Sequence, residues 1–382
     1  MDFALSAEQQ SMIEAARDFA ATELAPHYRR RETEARIDRD VLRRMGELGF
    51  FGIELSEEYG GLGLDAVTAG LVLEALCGDD MNFGYVSVTV SLLGQILQRY
   101  GQPDAVRPYI EGMLSGRLLP AIALTEPRGG SDAAQLTLAA TRDGDHFVLN
   151  GEKTSISMAT QADFCVLFAR TGSKASGARG ISAFLVPLDD PRITKTGFED
   201  HGTVSVGRGS LFFDDLPVPE RYLLGTENQG FVQVMQGFDY SRALLGILCL
   251  AVARRSLDEA WDHARTREAF GKPLAAFQGV SFPLAEAETQ LLSARLMCLY
   301  TLWLKDTGQT HTAEAAMCKW WGPKLAYDVV NTCLLTHGHG GYSKELPLEQ
   351  RLRDLLGLQI GDGTAQIMKL IIARSHVGRL AA

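Results

Sequence analysis

Apolar residues recur every three or four positions over the first third of the chain. From Ser6 to Leu24, Met12, Ile13, Ala16, Phe19 and Ala20 fall on one face, the spacing of an amphipathic helix. Ser6 followed by Gln9 has the form of a helix N-cap. Asp40–Leu48 repeats the pattern and breaks at Gly49. Tyr59-Gly60-Gly61-Leu62-Gly63 reads as a glycine-rich turn, Thr68–Cys77 and Asn82–Arg99 as helices, and Pro103 as the start of another. Between 121 and 225 the period changes to two. His146-Phe147-Val148-Leu149-Asn150-Gly151, Phe164–Ala169, Ile181–Val186 and Ser210–Phe213 are short strand-like runs between Gly and Asp turns, closed by Pro217 and Pro219. Helical periodicity then returns in Gly230–Gly237, Arg242–Glu268, Val280–Thr307, Thr312–Thr336 and Gln366–Leu380. The pattern predicts an α+β protein with helices over 1–120, a β-domain of short strands over 121–225 and helices again over 226–382. No internal repeat is visible.

Composition narrows the classes. The 382 residues are 46% hydrophobic and 22% charged, which excludes a disordered or low-complexity chain and suits two or three domains. A net charge of −10 disfavours a nucleic-acid surface, yet leaves room for an anionic small substrate in a locally basic pocket. The six cysteines (Cys77, Cys165, Cys249, Cys298, Cys318, Cys333) include no C-x-x-C pair. Neither a zinc site nor a disulfide framework is expected, and reduced thiols point to the cytoplasm. Met1-Asp2-Phe3-Ala4 has no basic stretch leading into an apolar one, so no signal peptide is expected. The longest apolar run, Ala243–Ala253, has 11 residues, against the roughly 20 that a membrane span needs.

Four segments carry candidate chemistry. Leu124-Thr125-Glu126-Pro127-Arg128-Gly129-Gly130-Ser131-Asp132 is a glycine-rich turn whose free N–H groups suit an anion, or a plain loop. Asn150-Gly151-Glu152-Lys153-Thr154-Ser155-Ile156-Ser157 reads as an Asn-Gly hairpin turn entering a strand with alternating hydroxyls. In Arg265-Thr266-Arg267-Glu268-Ala269-Phe270-Gly271-Lys272-Pro273 a helix is expected to end near Phe270, with Gly271 as its C′ residue. Arg267 there is either a phosphate ligand or a solvated charge. His337-Gly338-His339-Gly340-Gly341-Tyr342 lacks a third metal ligand, and both histidines read as loop residues. Downstream, Asp362 stands between Gly361 and Gly363, where a carboxylate is held on irregular backbone rather than on a helix face.

Taken in order, these pieces resemble the flavin-dependent acyl-CoA dehydrogenase family from about residue 3 to 377. The resemblance lies in Glu58-Tyr59-Gly60-Gly61-Leu62-Gly63, Thr125-Glu126-Pro127…Gly130-Ser131-Asp132 and Asn150-Gly151-Glu152-Lys153. It continues in Phe213-Asp214-Asp215…Val218-Pro219, Arg267…Phe270-Gly271-Lys272 and Gly363-Thr364-Ala365-Gln366-Ile367. It implies an N-terminal helical bundle, a central β-domain and a C-terminal four-helix bundle. It also implies FAD, with Leu124, Thr125, Gly130 and Ser131 lining its ring and near phosphates and Ser155 and Ser157 flanking the ring. Arg267, Phe270 and Gln278 would reach its far end from a neighbouring subunit, beside Gly338 and His339, with Thr364 and Gln366 completing the site. Ser131, Asp239, Arg242 and Gly363 would contact the acyl-CoA. Asp362 would take the α-proton while flavin N5 takes the β-hydride, with the Asp362 N–H and a ribityl hydroxyl on the thioester oxygen. An electron-transferring flavoprotein would then take the electrons, and the family assembly would be a homotetramer.

The sequence departs from the family pattern in three places. Asp362 stands where the commonest base is Glu, one methylene longer, or about 1.5 Å. The alternative base position is filled by Ser241. Ser155 replaces a Trp against the flavin, and Leu335 and His339 replace Gln and Gly of the adenosine-side loop. An Asp base is similar to that of dehydrogenases acting on alicyclic thioesters such as cyclohexanecarboxyl-CoA, and to that of nitroalkane oxidases. Asp239 and Arg242, one helical turn apart and expected near Ser131, favour a thioester, borne on CoA or on an acyl-carrier protein. Tyr85, Ser87, Thr89, Ser91 and Tyr240 are expected to wall the acyl pocket.

Overall fold

A computed structural model describes residues 4–380. The leader reading at Met1-Asp2-Phe3 lies outside them. Six helices come first: α1 (Ala7–Phe19), α2 (Tyr28–Glu34), α3 (Arg39–Glu47), α4 (Ala66–Cys77), α5 (Met81–Tyr100) and α6 (Pro103–Leu114). Ser6 and Gln9 close a reciprocal capping box on α1. Eight strands follow: β1 (Pro120–Ala123), β2 (Ala139–Asp143), β3 (His146–Ile156), β4 (Phe164–Arg170), β5 (Ile181–Pro187), β6 (Ile193–Gly197), β7 (Gly209–Pro219) and β8 (Leu223–Leu224). They form one sheet in the order β6-β7-β3-β2-β4-β5-β8, with β1 parallel to β4.

The last part holds α7 (Gly230–Thr266), the two-residue strands β9 (Glu268–Ala269) and β10 (Lys272–Pro273), α8 (Gln278–Asp306), α9 (Thr312–Thr336), α10 (His339–Tyr342), α11 (Leu348–Leu358) and α12 (Ala365–Val377). Every residue of α7 from Tyr240 to Ala253 is buried, as expected of a helix that is apolar on all sides. It packs on α4, α5, α8 and α9. The crossing with α9 is close because glycine meets glycine: a Cβ on Gly322 would lie 2.9 Å from Gly246 Cα. No helix among the described residues is long and apolar enough to cross a membrane, and all six cysteines are buried free thiols.

Three local expectations need correction. Asn150-Gly151 is not a hairpin turn. It lies inside β3, where the register to β7 shifts between Leu149 and Gly151. The Asn150 side chain exchanges two 2.9 Å bonds with Asp215 across that bulge, so a cross-strand contact outweighs the local turn preference. The β2–β3 turn falls instead between Asp143 and His146. Gly230–Gly237 and Arg242–Glu268 are one continuous helix. That helix stops at Thr266, four residues before Phe270, and Gly271 is not its C′ residue. Phe270 (φ 52°) and Gly271 (φ 78°) form the tip of the β9–β10 hairpin, the two left-handed residues that such a turn requires.

Candidate active site

Asp362 sits in the six-residue link between α11 and α12. Thr364 caps α12, its side chain accepting from Ile367 N at 3.4 Å. Asp362 has φ 54° and Gly363 φ 103°, left-handed backbone that Asp tolerates and Gly favours. A Cβ on Gly363 would fall 2.4 Å from Met368 Cε. The Asp362 N–H finds no acceptor among the described residues. From α9, Lys319 Nζ donates to Leu358 O (2.7 Å) and Gly363 O (3.2 Å). From α7, Arg242 pairs with Asp239 at 3.3 Å, and Asp239 also accepts from Thr312 Oγ1 at 2.6 Å. Burial pushes the Asp362 carboxyl above its ordinary pKa, and the charges of Lys319 and Arg242 offset only part of that rise. From α5, Tyr85 Oη accepts from Ser157 Oγ at 3.1 Å. Burial and the neighbouring Asp362 push the phenol up, against Ser157 and Arg208. Asp362, Gly363, Arg242 and Ser157 are thus brought together.

The Thr125–Asp132 loop is pinned from beneath. Glu126 accepts from Thr137 N (2.6 Å), Thr137 Oγ1 (2.8 Å), Leu138 N (2.8 Å) and Lys153 Nζ (2.8 Å). Lys153, 0% exposed, also donates to Leu124 O at 3.0 Å, and Thr154 N donates to Thr125 O at 2.9 Å. Burial brings the Lys153 ammonium down to about 8 against the pull of Glu126. Burial would raise Glu126, but Lys153 and the amide donors outweigh it and leave the carboxylate below its usual range. Above this support Gly130 and Ser131 are exposed, and neither N–H has an acceptor among the described residues. Ser155 is exposed at φ 57° and accepts from Arg208 Nη1 at 3.2 Å. Arg208 is clamped by Asp200 and lies 5.2 Å over the Phe198 ring.

Other expected residues stand apart. Arg267, Phe270, Gln278, Gly338, His339 and Gln366 are exposed, Phe270 to 96%. No hydrogen bond or ion pair joins Ser131 to Asp239 or Arg242 among the described residues. The expected acyl wall divides. Tyr85 faces Ser157 and Asp362, whereas Ser87 and Ser91 line a small cavity with Glu54, Leu73, Leu76 and Leu244. The Glu54 carboxylate oxygens are buried there, and the buried Tyr240 hydroxyl lies close enough to interact with them. Sequence reasoning missed Lys319, Arg208 and Glu54. Only Lys319 carried a signal, as a single charge within the run Ala315-Ala316-Met317-Cys318-Lys319-Trp320-Trp321.

Residues 6–117, 121–216 and 228–377 match the N-terminal, middle and C-terminal domain models of acyl-CoA dehydrogenase. The chain belongs to the acyl-CoA dehydrogenase family. It is 35% identical over 378 residues, 98% of this chain and 99% of the other, to the probable acyl-CoA dehydrogenase YngJ of Bacillus subtilis. It is 33% identical to the caffeyl-CoA reductase-Etf complex subunit CarC of Acetobacterium woodii, covering 96% and 97% of the two chains. The structure of butyryl-CoA dehydrogenase from Megasphaera elsdenii superposes with a TM-score of 0.95 at 30% identity, over 99% of this chain and 100% of that one. Like its family, this acyl-CoA dehydrogenase is an oxidoreductase with FAD as its cofactor. The residues present fit that group. The free N–H donors of Gly130 and Ser131 suit a phosphate or a ring carbonyl. At Gly130 the surface is open, the nearest atom to an added Cβ being Thr125 Cγ2 at 3.8 Å.

Proposed function

We propose that Asp362 is the base that removes the α-proton of an acyl-CoA, as the first half of an α,β-dehydrogenation. One observation carries the reading: a partly desolvated carboxylate and an unpaired N–H belong to the same residue, on a turn fixed by Gly363 and Lys319. The carboxylate accepts the proton. The N–H stabilises the negative charge that develops on the thioester oxygen. A carboxyl raised above its ordinary pKa is a stronger base nearer working pH. FAD, when bound, supplies the hydride acceptor. Leu124, Thr125, Gly130, Ser131, Ser155 and Ser157 would hold it from this chain. Arg267, Phe270, Gln278, Gly338, His339, Thr364 and Gln366 would complete its site across a subunit boundary. Ser131, Asp239, Arg242 and Gly363 would receive the acyl-CoA.

Tyr85, standing beside Asp362, supports a compact acyl group, either alicyclic such as cyclohexanecarboxyl or short and branched. The likeness to an Etf-complex subunit supports an electron-transferring flavoprotein as acceptor. Exposed Phe270, Phe282, Leu292, Leu335 and Ile360 support a homotetramer, and six reduced thiols support the cytoplasm. The test is an anaerobic titration of the FAD-loaded protein with cyclohexanecarboxyl-, isobutyryl-, butyryl- and octanoyl-CoA, followed by flavin absorbance. Bleaching by one thioester, lost in Asp362→Ala, is expected. A loaded protein that no thioester bleaches refutes the reading for these substrates and turns attention to carrier-bound acyl groups or oxidase chemistry.

A further inference from the structure

Lys319 is 1% exposed and lies on a buried stretch of α9 beside Ala315, Ala316, Cys318 and Gly322. Burying an ammonium is costly unless its protons are satisfied. Here two of them go to backbone carbonyls, Leu358 O and Gly363 O. Leu358 is the last residue of α11, and its carbonyl is among those a helix end leaves unpaired. Gly363 directly follows Asp362. The two bonds therefore span the whole segment that carries the base, from where it leaves α11 to the residue after Asp362.

That segment needs an external tie. Asp362 and Gly363 both have positive φ, a conformation that persists only where the surroundings impose it. Lys319 forms no ion pair among the described residues, so no carboxylate claims its charge at contact distance. The charged or titratable groups facing Asp362 are Lys319 on α9, Arg242 on α7 and Tyr85 on α5. Arg242 is already paired with Asp239. Tyr85, pushed up by burial, is neutral. Cys249, which faces Lys319 from α7, is a thiol pushed up to about 12 by burial and is neutral too.

We propose that Lys319 is a positioning residue for the reaction: it ties the Asp362–Gly363 turn to the end of α11 and supplies the uncommitted positive charge that keeps the Asp362 carboxylate ready to accept a proton. The inference rests on the reading of Asp362 as the base. The experiment uses FAD-loaded wild type, Lys319→Arg, Lys319→Gln and Lys319→Met. Gln keeps a donor for the carbonyls and drops the charge; Met drops both. The Asp362 carboxyl band is titrated by infrared spectroscopy without substrate, assigned by its loss in Asp362→Asn. The rate of flavin bleaching by the thioester that serves wild type is measured against pH.

We expect the infrared midpoint to rise by about one to three pH units in Gln and Met, the range for removing a nearby opposite charge. It should stay near wild type in Arg. The bleaching profile should move to higher pH with it, and Met should lose a further ~10²-fold at every pH as the turn drifts. A midpoint in Gln equal to wild type overturns the proposal even if Met fails to fold. So does an Arg variant that shifts as far as Gln. Because the infrared midpoint needs no substrate, a wild type that no thioester bleaches refutes the function while the coupling of Lys319 to Asp362 is still scored.

Discussion

A carboxylate can act as a base on a weak carbon acid only if its reach matches the bound substrate. Asp362 has the shorter of the two acidic side chains, on a turn set by two left-handed residues. Asp362→Glu adds about 1.5 Å of reach inside a wall made by Tyr85, Arg242 and Lys319. Displacements of ~1 Å in such geometries cost ~10²-fold. We therefore expect Asp362→Glu to slow flavin bleaching about 10²-fold on the best wild-type substrate, with the melting temperature unchanged. A Glu variant as fast as wild type would show that the site does not depend on the shorter reach. On the proposed reading Asp362 works deprotonated as the base, so the rate should fall as pH drops through its raised pKa. At this scale the sequence singled out Asp362 as a candidate because two glycines flank it and the downstream segment resembles a family helix start. It did not show Lys319 as functional, because a single lysine in a helix ordinarily reads as a surface charge. Only the packing of α9 against the α11–α12 link gives it another meaning.

Elements set what lies beneath the loop proposed to face the cofactor. The Thr125–Asp132 loop has few hydrogen bonds of its own and rests on the buried Glu126–Lys153 pair joining it to β3. Removing one member of a buried pair strands the other and typically costs ~3–5 kcal/mol. Lys153→Met should therefore yield a less stable protein that purifies with little FAD. Glu126→Gln combined with Lys153→Met should recover part of the stability, since no charge is left unpaired. The measurements are flavin-to-protein absorbance ratio and thermal melting; a yellow, fully loaded Lys153→Met would remove the pair from any role in the site. The helices and most strands were legible because periods of 3.6 and 2 survive along them. Asn150-Gly151 and Phe270-Gly271 misled for opposite reasons. The first has the composition of a turn, but a cross-strand Asn150–Asp215 contact makes it a bulge. The second is a turn whose first residue, Phe, carries no turn signal.

At the scale of the whole molecule one side chain joins three regions. Asp354 on α11 accepts from Tyr28 Oη of α2 at 2.6 Å and from the Thr203 amide, between β6 and β7, at 2.5 Å. Its carboxyl is 1% exposed and is pushed up to about 7 by burial, with Asp80 and Glu32 adding to the rise and the Tyr28 and Thr203 bonds opposing it. In the unfolded chain the same group titrates near its ordinary value of about 3.9. Between these two values the native state holds a proton that the unfolded state has lost, so native stability falls as pH rises from about 4 to about 7. Asp80, raised to about 6 by burial, contributes a slope of the same sign over a narrower window. Asp354→Asn removes one slope and leaves the other. The amide oxygen can still accept from Thr203, and the amide nitrogen can donate to Tyr28 Oη, so the junction stays bonded. We expect the wild-type melting temperature to decline between pH 5 and pH 7.5, and the Asn variant to decline less steeply, the two curves lying closest at the acid end and separating toward the alkaline end, where wild type must hold a buried charge. Parallel curves would mean that Asp354 is already ionised in the native state at pH 5, and that the junction between the three regions is held without a buried proton.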